Sequence, residues 1–501
     1  MAVFMKPCVS GVLFTALLLI LAAAFPYYSF AQIQPTSKLK ETVISASRTP
    51  TRTDELVSEV TIATRAEIEK YVVTTLPELL SRMAGVQFSA TGGLSKSSSI
   101  SIRGSEARHT ILLIDGARYG SATTGKPILD NIPVVMIERI EILKGPASAL
   151  YGSDAVGGVV QVFMREGQAG FKPYAAVTLS SESHAQLATG LTGGAGDVTY
   201  ALSVQKTREA GFSAINSKAR VATFNPDRDG FEQNSFSGSI AYQINPSLKL
   251  DVVLVYADIV YSSVDGLTRY TRYSSITNDA HTTGLAGYCF SVTPQWRVNA
   301  SYGASFVAPY FNQLYFPGFG NSNLQPEKRR NSDFVVTWSD FGHGVKFVKY
   351  DNRIRGFITN STLPVNTPQA SIDGVTLFYG GTSDGLTLSA SADALNPRNE
   401  LTGKRLPRRS SSQLHAAADY AVGTWTFGGA LLRTGESFND VNTTQKLEGY
   451  TVGDVYADNR FSKDWNVQAK INNVTAKVYE TILGYNQPGR GVFVASRWQS
   501  K

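Results

Sequence analysis

The segment from Trp296 to Phe306 reads WRVNASYGASF, and its alternation of apolar with small or polar residues decides the fold. One set of alternate positions carries tryptophan, valine, tyrosine and phenylalanine, whereas the other carries arginine, asparagine and serine. A period of two residues predicts a β-strand with one apolar face and one polar face. Similar alternation is found at Val198–Gln205, Ser247–Tyr256, Leu386–Ala394 and Trp465–Ile471.

Alternating segments of this kind dominate residues 168–501, and aromatic residues gather at their ends. No internal apolar run is long enough for a membrane-spanning helix. These features predict a C-terminal transmembrane antiparallel β-barrel with apolar side chains towards lipid and polar side chains towards the lumen. A soluble β-sandwich would show the same alternation and is the alternative.

The N-terminus carries the pattern of a secretory signal. Lys6 precedes the apolar run Val12–Phe25, and small residues at Ser29 and Ala31 lead to a cleavage point. This pattern predicts a signal peptide over residues 1–31. A membrane anchor is the alternative, although the run is short for a spanning helix. The mature chain would keep Cys289 as its one cysteine, which excludes an internal disulfide.

Residues 51–167 follow a different pattern, typical of a mixed α/β domain. A short helix capped by Thr64 and Glu67 is predicted over Thr64–Tyr71, and a second helix, with Pro77 in its first turn and Gly85 as its stop, over Thr74–Gly85. Short strands that end in glycine follow. A compact domain before a wide barrel would fill the lumen as a plug. The glycine-rich stretch Glu141–Phe163 is interpreted as plug core, where glycine lets backbone segments approach closely.

Several motifs in the expected order carry a family resemblance. The plug motifs run almost continuously from Glu41 to Arg165, and YGASFVAPYFNQLYF (302–316), NSNLQPEK (321–328) and INNVTAKVYET (471–481) follow in the barrel. The chain resembles the TonB-dependent outer-membrane receptors, most closely their cobalamin (corrinoid) branch. The resemblance implies a bacterial outer-membrane receptor that takes up a scarce large ligand, driven by a TonB-type periplasmic energy-coupling protein.

The resemblance also places a Ton box in segment 32–50, directly after the signal. An extended segment of this kind can add a strand to the edge of a partner sheet. A plain N-terminal linker is the alternative. The predicted Ton box consists of Glu41, Thr42, Val43, Ile44, Ser45 and Ala46.

Two plug loops, GGLSKSSS (92–99) and YGSATTGK (119–126), match the positions of apical loops in cobalamin receptors. Small polar residues there would offer hydroxyl and backbone groups to a large polar ligand. Ordinary solvent loops are the alternative. The predicted ligand-binding residues are Gly92, Gly93, Ser95, Lys96, Ser97, Tyr119, Ser121 and Thr123.

Calcium is the one cofactor that the resemblance raises. Asp227 and Asp229, in NPDRDGF, stand two residues apart, so their carboxylates can converge on a hard cation. Asp258 and Asp265 fall where the family's further acidic ligands are expected. A simple turn is the alternative for this short motif.

The barrel region is short for the family. Residues 168–501 allow about sixteen strands, whereas the family builds about twenty-two. The missing strands are expected near Asp265–Thr277, where the resemblance jumps from an early barrel segment to a much later one. A smaller closed barrel, a deletion product or faulty gene model, and unusually short connections are three explanations that the sequence leaves open.

Other functions fit the sequence less well. YGSDAVGG (151–158) lacks the GxSxG motif of hydrolases and the lysine of a phosphate loop, so no enzyme is expected. Lysines and arginines are scattered despite the net charge of +7, which argues against a nucleic-acid partner. A passive porin or adhesin and a receptor for a ferric siderophore or a sugar remain alternatives. Haem uptake is disfavoured because Phe306–Lys328 contains no histidine.

Overall fold

The computed structural model of the chain describes residues 42–43, 45, 51–52, 56, 58–70, 75–93, 96–121, 123–130, 132–145, 147–181, 183–219, 228–245, 248–261, 283–360 and 363–500. The predicted signal peptide lies outside these residues. Among the helices of this part, none is both long and apolar enough to cross a membrane.

The described residues of the N-terminal part form nine short strands and three short α-helices. The strands are β1 (Thr42–Val43), β2 (Thr51–Arg52), β3 (Glu59–Ala63), β4 (Val86–Ala90), β5 (Ser98–Ile102), β6 (Thr110–Ile114), β7 (Ala117–Arg118), β8 (Ile137–Lys144) and β9 (Gly158–Met164). The helices are α1 (Arg65–Lys70), α2 (Leu76–Ser81) and α3 (Ser148–Tyr151), with 3₁₀ turns at Ala107–His109 and Val134–Met136.

These elements form the plug around a five-stranded sheet in the order β3-β8-β9-β6-β7, in which β6 and β9 run parallel. Helix α2 begins where the Thr75 side chain accepts a hydrogen bond from the Glu78 amide at 3.2 Å. The leucines of α2 recur at helical spacing and are fully buried in the main plug core. Helix α1 is capped as predicted, since the Thr64 amide donates to the Glu67 carboxylate at 2.8 Å. Both predicted helices are therefore confirmed, although both are shorter than expected.

The end of the glycine-rich stretch, strand β9, lies at the centre of this sheet. All seven residues of β9 are buried. A Cβ on Gly158, whose φ is +154°, would lie 2.3 Å from the Leu143 carbonyl oxygen, and one on Gly157 would lie 2.7 Å from the Ser105 side chain. Only glycine permits this close approach of neighbouring backbone segments.

The described residues of the C-terminal part form one large antiparallel sheet of sixteen long strands, beside two short strand pairs. These are β10 (Gly170–Ser180), β11 (Ala185–Ala195), β12 (Val198–Glu209), β13 (Phe231–Asn245), β14 (Leu248–Tyr261), β15 (Gly284–Ser291), β16 (Trp296–Val307), β17 (Glu327–Asp340), β18 (His343–Asn360), β19 (Pro364–Ser383), β20 (Leu386–Asn399), β21 (Ser412–Val422), β22 (Trp425–Thr434), β25 (Tyr450–Asn459), β26 (Trp465–Asn472) and β29 (Gly491–Gln499). Between them lie α4 (Phe311–Tyr315) and the short pairs β23 (Ser437–Phe438) with β24 (Lys446–Leu447) and β27 (Glu480–Ile482) with β28 (Tyr485–Asn486). The strand number agrees with the sequence estimate.

The two ends of this wall differ. At one end, the turn end, connections such as 341–342, 384–385 and 423–424 are two residues long. At the other, the loop end, connections such as 210–230, 308–326 and 473–490 are much longer. Outer-membrane barrels have short periplasmic turns and long outer loops, so the loop end is the outer side.

The wall has a seam between β14 and β15. The first and last wall strands, β10 and β29, pair along Tyr174–Ser180, but no hydrogen-bonded pair joins β14 to β15 among the described residues. The seam coincides with the place where the sequence indicates missing strands. Open sheet edges are not tolerated within the hydrocarbon of a membrane, so this seam bears directly on function.

Candidate ligand and coupling sites

Buried ion pairs hold the plug against one sector of the wall. Arg103, at the end of β5, lies 2.6 Å from Glu59 of the plug and 3.0 Å from Asp333 on β17. Lys144 contacts the other oxygen of Glu59 at 2.9 Å. Burial alone would raise the pKa of Glu59, but Lys144 and Arg103 hold it well below its ordinary value. This network fixes the plug through charges that are paired on both sides.

A second set of ion pairs lies beside the first. Arg108 pairs with Glu327 of β17, and His109 Nε2 lies 2.8 Å from the other oxygen of that carboxylate. Arg409, in the wall, lies 2.9 Å from Glu106 of the plug. Although burial would raise it, the pKa of Glu106 is held at about 2 by the neighbouring guanidinium groups. The plug is therefore held against the wall by several carboxylates that stay ionised. The latch is defined as the ion pairs of Arg103 with Glu59 and Asp333, Arg108 with Glu327, and Arg409 with Glu106.

The predicted Ton box is docked on the plug where it is described. The Ser45 amide and hydroxyl both donate to Glu141 Oε2, at 2.9 and 2.8 Å. The Tyr151 hydroxyl donates to the Ser45 carbonyl oxygen at 2.8 Å, and β1, with Thr42 and buried Val43, pairs with β2. Glu41, Ile44 and Ala46 lie outside the described residues.

The first predicted ligand loop packs at the loop end of the wall. The Lys96 ammonium lies 2.7 Å from Asp229 Oδ1, and Ser97 accepts a hydrogen bond from the Thr91 amide. A Cβ on Gly92 would lie 2.4 Å from the Ala214 Cβ, and one on Gly93 would lie 3.0 Å from the Phe212 ring. Ser95 lies outside the described residues.

The second predicted loop lies at the same end. Its turn is closed by a contact of 3.1 Å between the Ser121 and Thr123 hydroxyls, and the Asn312 amide donates to the Thr123 carbonyl at 3.1 Å. Tyr119 differs because it packs against the plug core. The structure thus brings both loops to the outer side, while Tyr119 also has a structural part.

The predicted calcium ligands are only partly described. Asp227 and Asp265 lie outside the described residues, and Asp258 sits within β14 opposite Asn234. Both oxygens of Asp229 are engaged, Oδ1 by Lys96 and Oδ2 by the Ala214 amide at 2.8 Å. Within the described part of the chain, no group of three histidine, cysteine or acidic residues is arranged to hold a metal. The calcium site stays a prediction.

Sequence reasoning did not single out the latch residues. Glu59 and Arg103 belong to the plug, while Asp333 and Glu327 belong to a wall strand more than two hundred positions later in the chain. The available signal was weak, namely single acidic residues at inward positions of alternating strands. Such residues must be paired when buried.

Comparison with known proteins identifies the family. Residues 52–159 match the TonB-dependent receptor plug domain, and residues 147–474 match the TonB-dependent receptor-like β-barrel. The vitamin B12 transporter BtuB of Photobacterium profundum is 24% identical, over 91% of this chain and 95% of that protein. BtuB of Vibrio vulnificus is 23% identical, over 90% and 93%.

The alignment with the Photobacterium protein runs over 583 positions, more than the 501 residues of this chain, so that relative carries segments absent here. Among solved structures, a mutant of the ferric enterobactin receptor PfeA of Pseudomonas aeruginosa has a TM-score of 0.73 at 14% identity, over 88% of this chain and 99% of its own. The Pseudomonas aeruginosa receptor FpvA, bound to a pyoverdine, has a TM-score of 0.71 at 13% identity, over 92% and 88%. These two likenesses establish the fold. Because the plug and barrel matches together extend over residues 52–474, the chain is a member of the TonB-dependent receptors, outer-membrane proteins of bacteria that take up large ligands.

Proposed function

We propose that this receptor takes up a corrinoid such as cobalamin, without making or breaking a bond in it. The observation that carries the proposal is the alignment with two vitamin B12 transporters over nine tenths of the chain. The proposal divides the chain into a signal (1–31), a Ton-box segment (32–50), a plug (51–167) and a barrel (168–501).

The contacts of the plug support a sequence of events. Ligand binds at the loop end, between the apical plug loops and the long wall connections, where many weak polar contacts add up. Release of Ser45 from Glu141 frees the Ton box to pair with the periplasmic partner. Tension on that segment then breaks the buried plug-to-wall ion pairs, and the ligand moves inward.

Calcium enters the proposal as a factor that orders the outer loops. Asp229 is the described residue nearest to such a role, and a cation there would have to displace the Lys96 ammonium. Calcium bound there would therefore replace the Lys96 ammonium as the positive charge beside Asp229. Ligand affinity would then depend on which of these two cations is present.

The test is equilibrium binding of cyanocobalamin to the purified protein in detergent, with calcium or with a chelator. Barrel closure is checked first by heat-modifiable migration on gels. We expect saturable binding to the closed form, strengthened by calcium. Thr123→Arg, at the loop end, should weaken binding, whereas Thr424→Arg, an equally exposed threonine at the turn end, should leave it unchanged. A closed barrel that ignores cyanocobalamin and binds ferric enterobactin would contradict the corrinoid proposal.

The second candidate is a receptor that no longer transports, and the seam between β14 and β15 favours it. Its signature is a chain that never shows heat-modifiable migration in any detergent or lipid. The ferric siderophore alternative has weaker support, because the solved siderophore receptors share only the fold at 13–14% identity.

A further inference from the structure

A cavity of about 250 Å³ lies between helix α2 of the plug and the inner face of wall strands β19 to β26. Its lining includes Gly92 and Gly93 of the first predicted ligand loop. On the plug side it passes Glu78 and Arg82. The cavity thus extends from the predicted ligand loop into the contact between plug and wall.

Four polar atoms of the wall face this cavity without a hydrogen-bond partner among the described residues. They are Ser391 Oγ on β20, Gln413 Oε1 and His415 Nε2 on β21, and Asn472 Oδ1 on β26. Ser391 and Gln413 are only 2% and 3% exposed, and Ser391 stands directly opposite His415 in the sheet register. Buried polar groups are almost always hydrogen-bonded, so this cluster indicates an absent polar partner.

Six aromatic side chains also line the cavity, among smaller aliphatic residues, and suit a small planar group. Rings stand on both the plug side and the wall side, and the Tyr450 and Tyr479 rings stack with centroids 4.2 Å apart. Aromatic walls with a few convergent polar groups are typical of small-molecule sites. The lining rings are Phe88, Phe212, Phe378, Tyr450, Tyr479 and Phe493.

The charges of the lining disfavour an anion. Arg82 pairs with Glu78 at 3.1 Å and with Asp454 at 2.6 Å, and Lys470 lies 3.6 Å from Asp454. Lys470 lies behind the lining, so these four charges offset each other, while Asp130 and Glu209 add carboxyl groups to the lining itself. With no excess of positive charge, the site would not compensate a buried anionic ligand.

We propose that this cavity is an inner binding site for a neutral ligand group that carries both hydrogen-bond donors and acceptors, of the carboxamide class. The Gln413 and Asn472 carbonyl oxygens require a donor, and a carboxamide supplies two N–H groups beside its own acceptor. The role of the site as a second station for the ligand rests on the proposed uptake function. Its existence does not.

Nicotinamide is the probe, because it joins a carboxamide to a planar ring, and nicotinate is its anionic counterpart. Binding to the full purified receptor is measured by saturation-transfer NMR. We expect nicotinamide to bind with a dissociation constant of about 1 mM, as its few atoms allow, and nicotinate not to bind. Absence of nicotinamide binding to the wild type, or equal binding of nicotinate, would overturn the proposal.

Gln413→Leu locates the site, and Gln205→Leu is its matched control. Both glutamines are 3% exposed on wall strands and have an Oε1 without a partner among the described residues, but Gln205 does not line the cavity. Gln413→Leu should weaken nicotinamide binding by about threefold to tenfold, as expected for one hydrogen bond, and Gln205→Leu should not. Ala430→Phe, which fills the cavity without removing a polar atom, should abolish binding. Equal effects of both glutamine variants, or retained binding in Ala430→Phe, would overturn the assignment.

Cyanocobalamin binding by the same variants separates this proposal from the uptake function. Cyanocobalamin binding that is weaker in Gln413→Leu but not in Gln205→Leu supports the inner cavity as a second binding site for the transported ligand. If wild type binds cyanocobalamin but all variants bind it and nicotinamide equally, the inner site fails and the uptake function stands. If nicotinamide binding depends on Gln413 but cyanocobalamin does not bind, the corrinoid function fails and the site stands.

Discussion

Strands β18 and β14 belong to one sheet and alternate in the same way, but their inward faces meet different surroundings. On β18, Val348, Tyr350 and Ile354 are almost fully buried in a core shared with neighbouring strands. On β14, Val252 and Val253, which point to opposite faces, are 56% and 41% exposed. Alternation therefore specifies a strand, but burial of its inner face depends on how much of that part of the wall the plug covers, and on β14 the plug core packs against Val255.

The electrostatic contact between plug and wall also differs between the sector of β17 and β18 and the sector of β14. Against β17 and β18 the plug presents Arg103 and Arg108 to wall carboxylates, so the contact is attractive. Against β14 the plug presents Asp115, whose pKa is raised to about 6 by burial and by the nearby carboxylates Glu166 and Asp251. Lys249 of β14 lies 4.0 Å from Glu166 and offsets part of this repulsion, so the plug is held firmly by buried ion pairs on one side and only weakly on the side of the seam.

Arg103→Ala should have the largest effect, because it removes the centre of the attractive sector. Asp333 would be left buried without its partner, and breaking a buried ion pair typically costs about 3–5 kcal/mol. We expect earlier thermal loss of the plug and faster proteolysis of its strands. Lys206→Ala, which breaks the exposed Lys206–Glu232 pair, should change neither. Equal stability of the two variants would contradict the latch.

Asp115→Asn should remove the repulsion between Asp115 and the nearby carboxylates Glu166 and Asp251. A carboxyl group with a raised folded-state pKa favours folding when protonated, and this contribution is lost as pH rises from about 4 to about 6. The asparagine side chain keeps the acceptor for the Met164 amide. We expect the variant to be more stable by about 2 kcal/mol at pH 7, with no gain at pH 3.5. A gain that is the same at both values would contradict this account.

Hydrogen exchange compares the two sectors directly. Amides of β18 pair on both sides, with β17 and β19, whereas those on one edge of β14 face the seam. Unpaired amides open with little free energy, so alternate β14 amides should exchange faster by roughly tenfold or more. Full protection along β14 in lipid would show that β14 and β15 pair in the membrane.

Ser45→Ala should have the smallest effect on the stability of the fold and a measurable effect on binding of the periplasmic TonB domain. It removes the hydroxyl bond to Glu141 and leaves the amide bond, for a loss of about 1 kcal/mol. We expect binding of the periplasmic TonB domain to strengthen by roughly fivefold, because the docked state competes less. Thr42→Ala, also in the predicted Ton box but in β1, provides the comparison. Weaker binding by Ser45→Ala would contradict docking as an inhibitory state.

Local rules accounted for much of this fold. The cap of α1, the existence of α2, the buried glycines and the alternation of the wall depend on near neighbours in sequence, and all were predictable. The number of strands and the place of the seam followed from length and from the jump in resemblance near Asp265–Thr277. Latches and cavity were not predictable, because Arg103 and Asp333 meet only after the plug enters the barrel.

The candidate ligand site was also only partly predictable from sequence. Lys96 was expected to contact ligand and Asp229 to bind calcium, each from its own short motif, but in the structure they bind each other. A motif gives the chemistry that a residue can offer. Its partner depends on loops that are far apart in sequence, and the cluster at Ser391, Gln413 and His415 had no motif at all.

The strand directions at the seam carry a consequence for how such a chain can arise. Strand β14 runs towards the loop end and β15 runs back towards the turn end, as in any adjacent antiparallel pair. Excision of whole hairpins at this point therefore leaves the direction of every later strand unchanged, and β29 still returns to pair with β10. Loss of an odd number of strands would have inverted the remaining wall and sent its long loops into the periplasm. A barrel of this kind can thus lose whole hairpins and still keep its long loops on the outer side of the membrane.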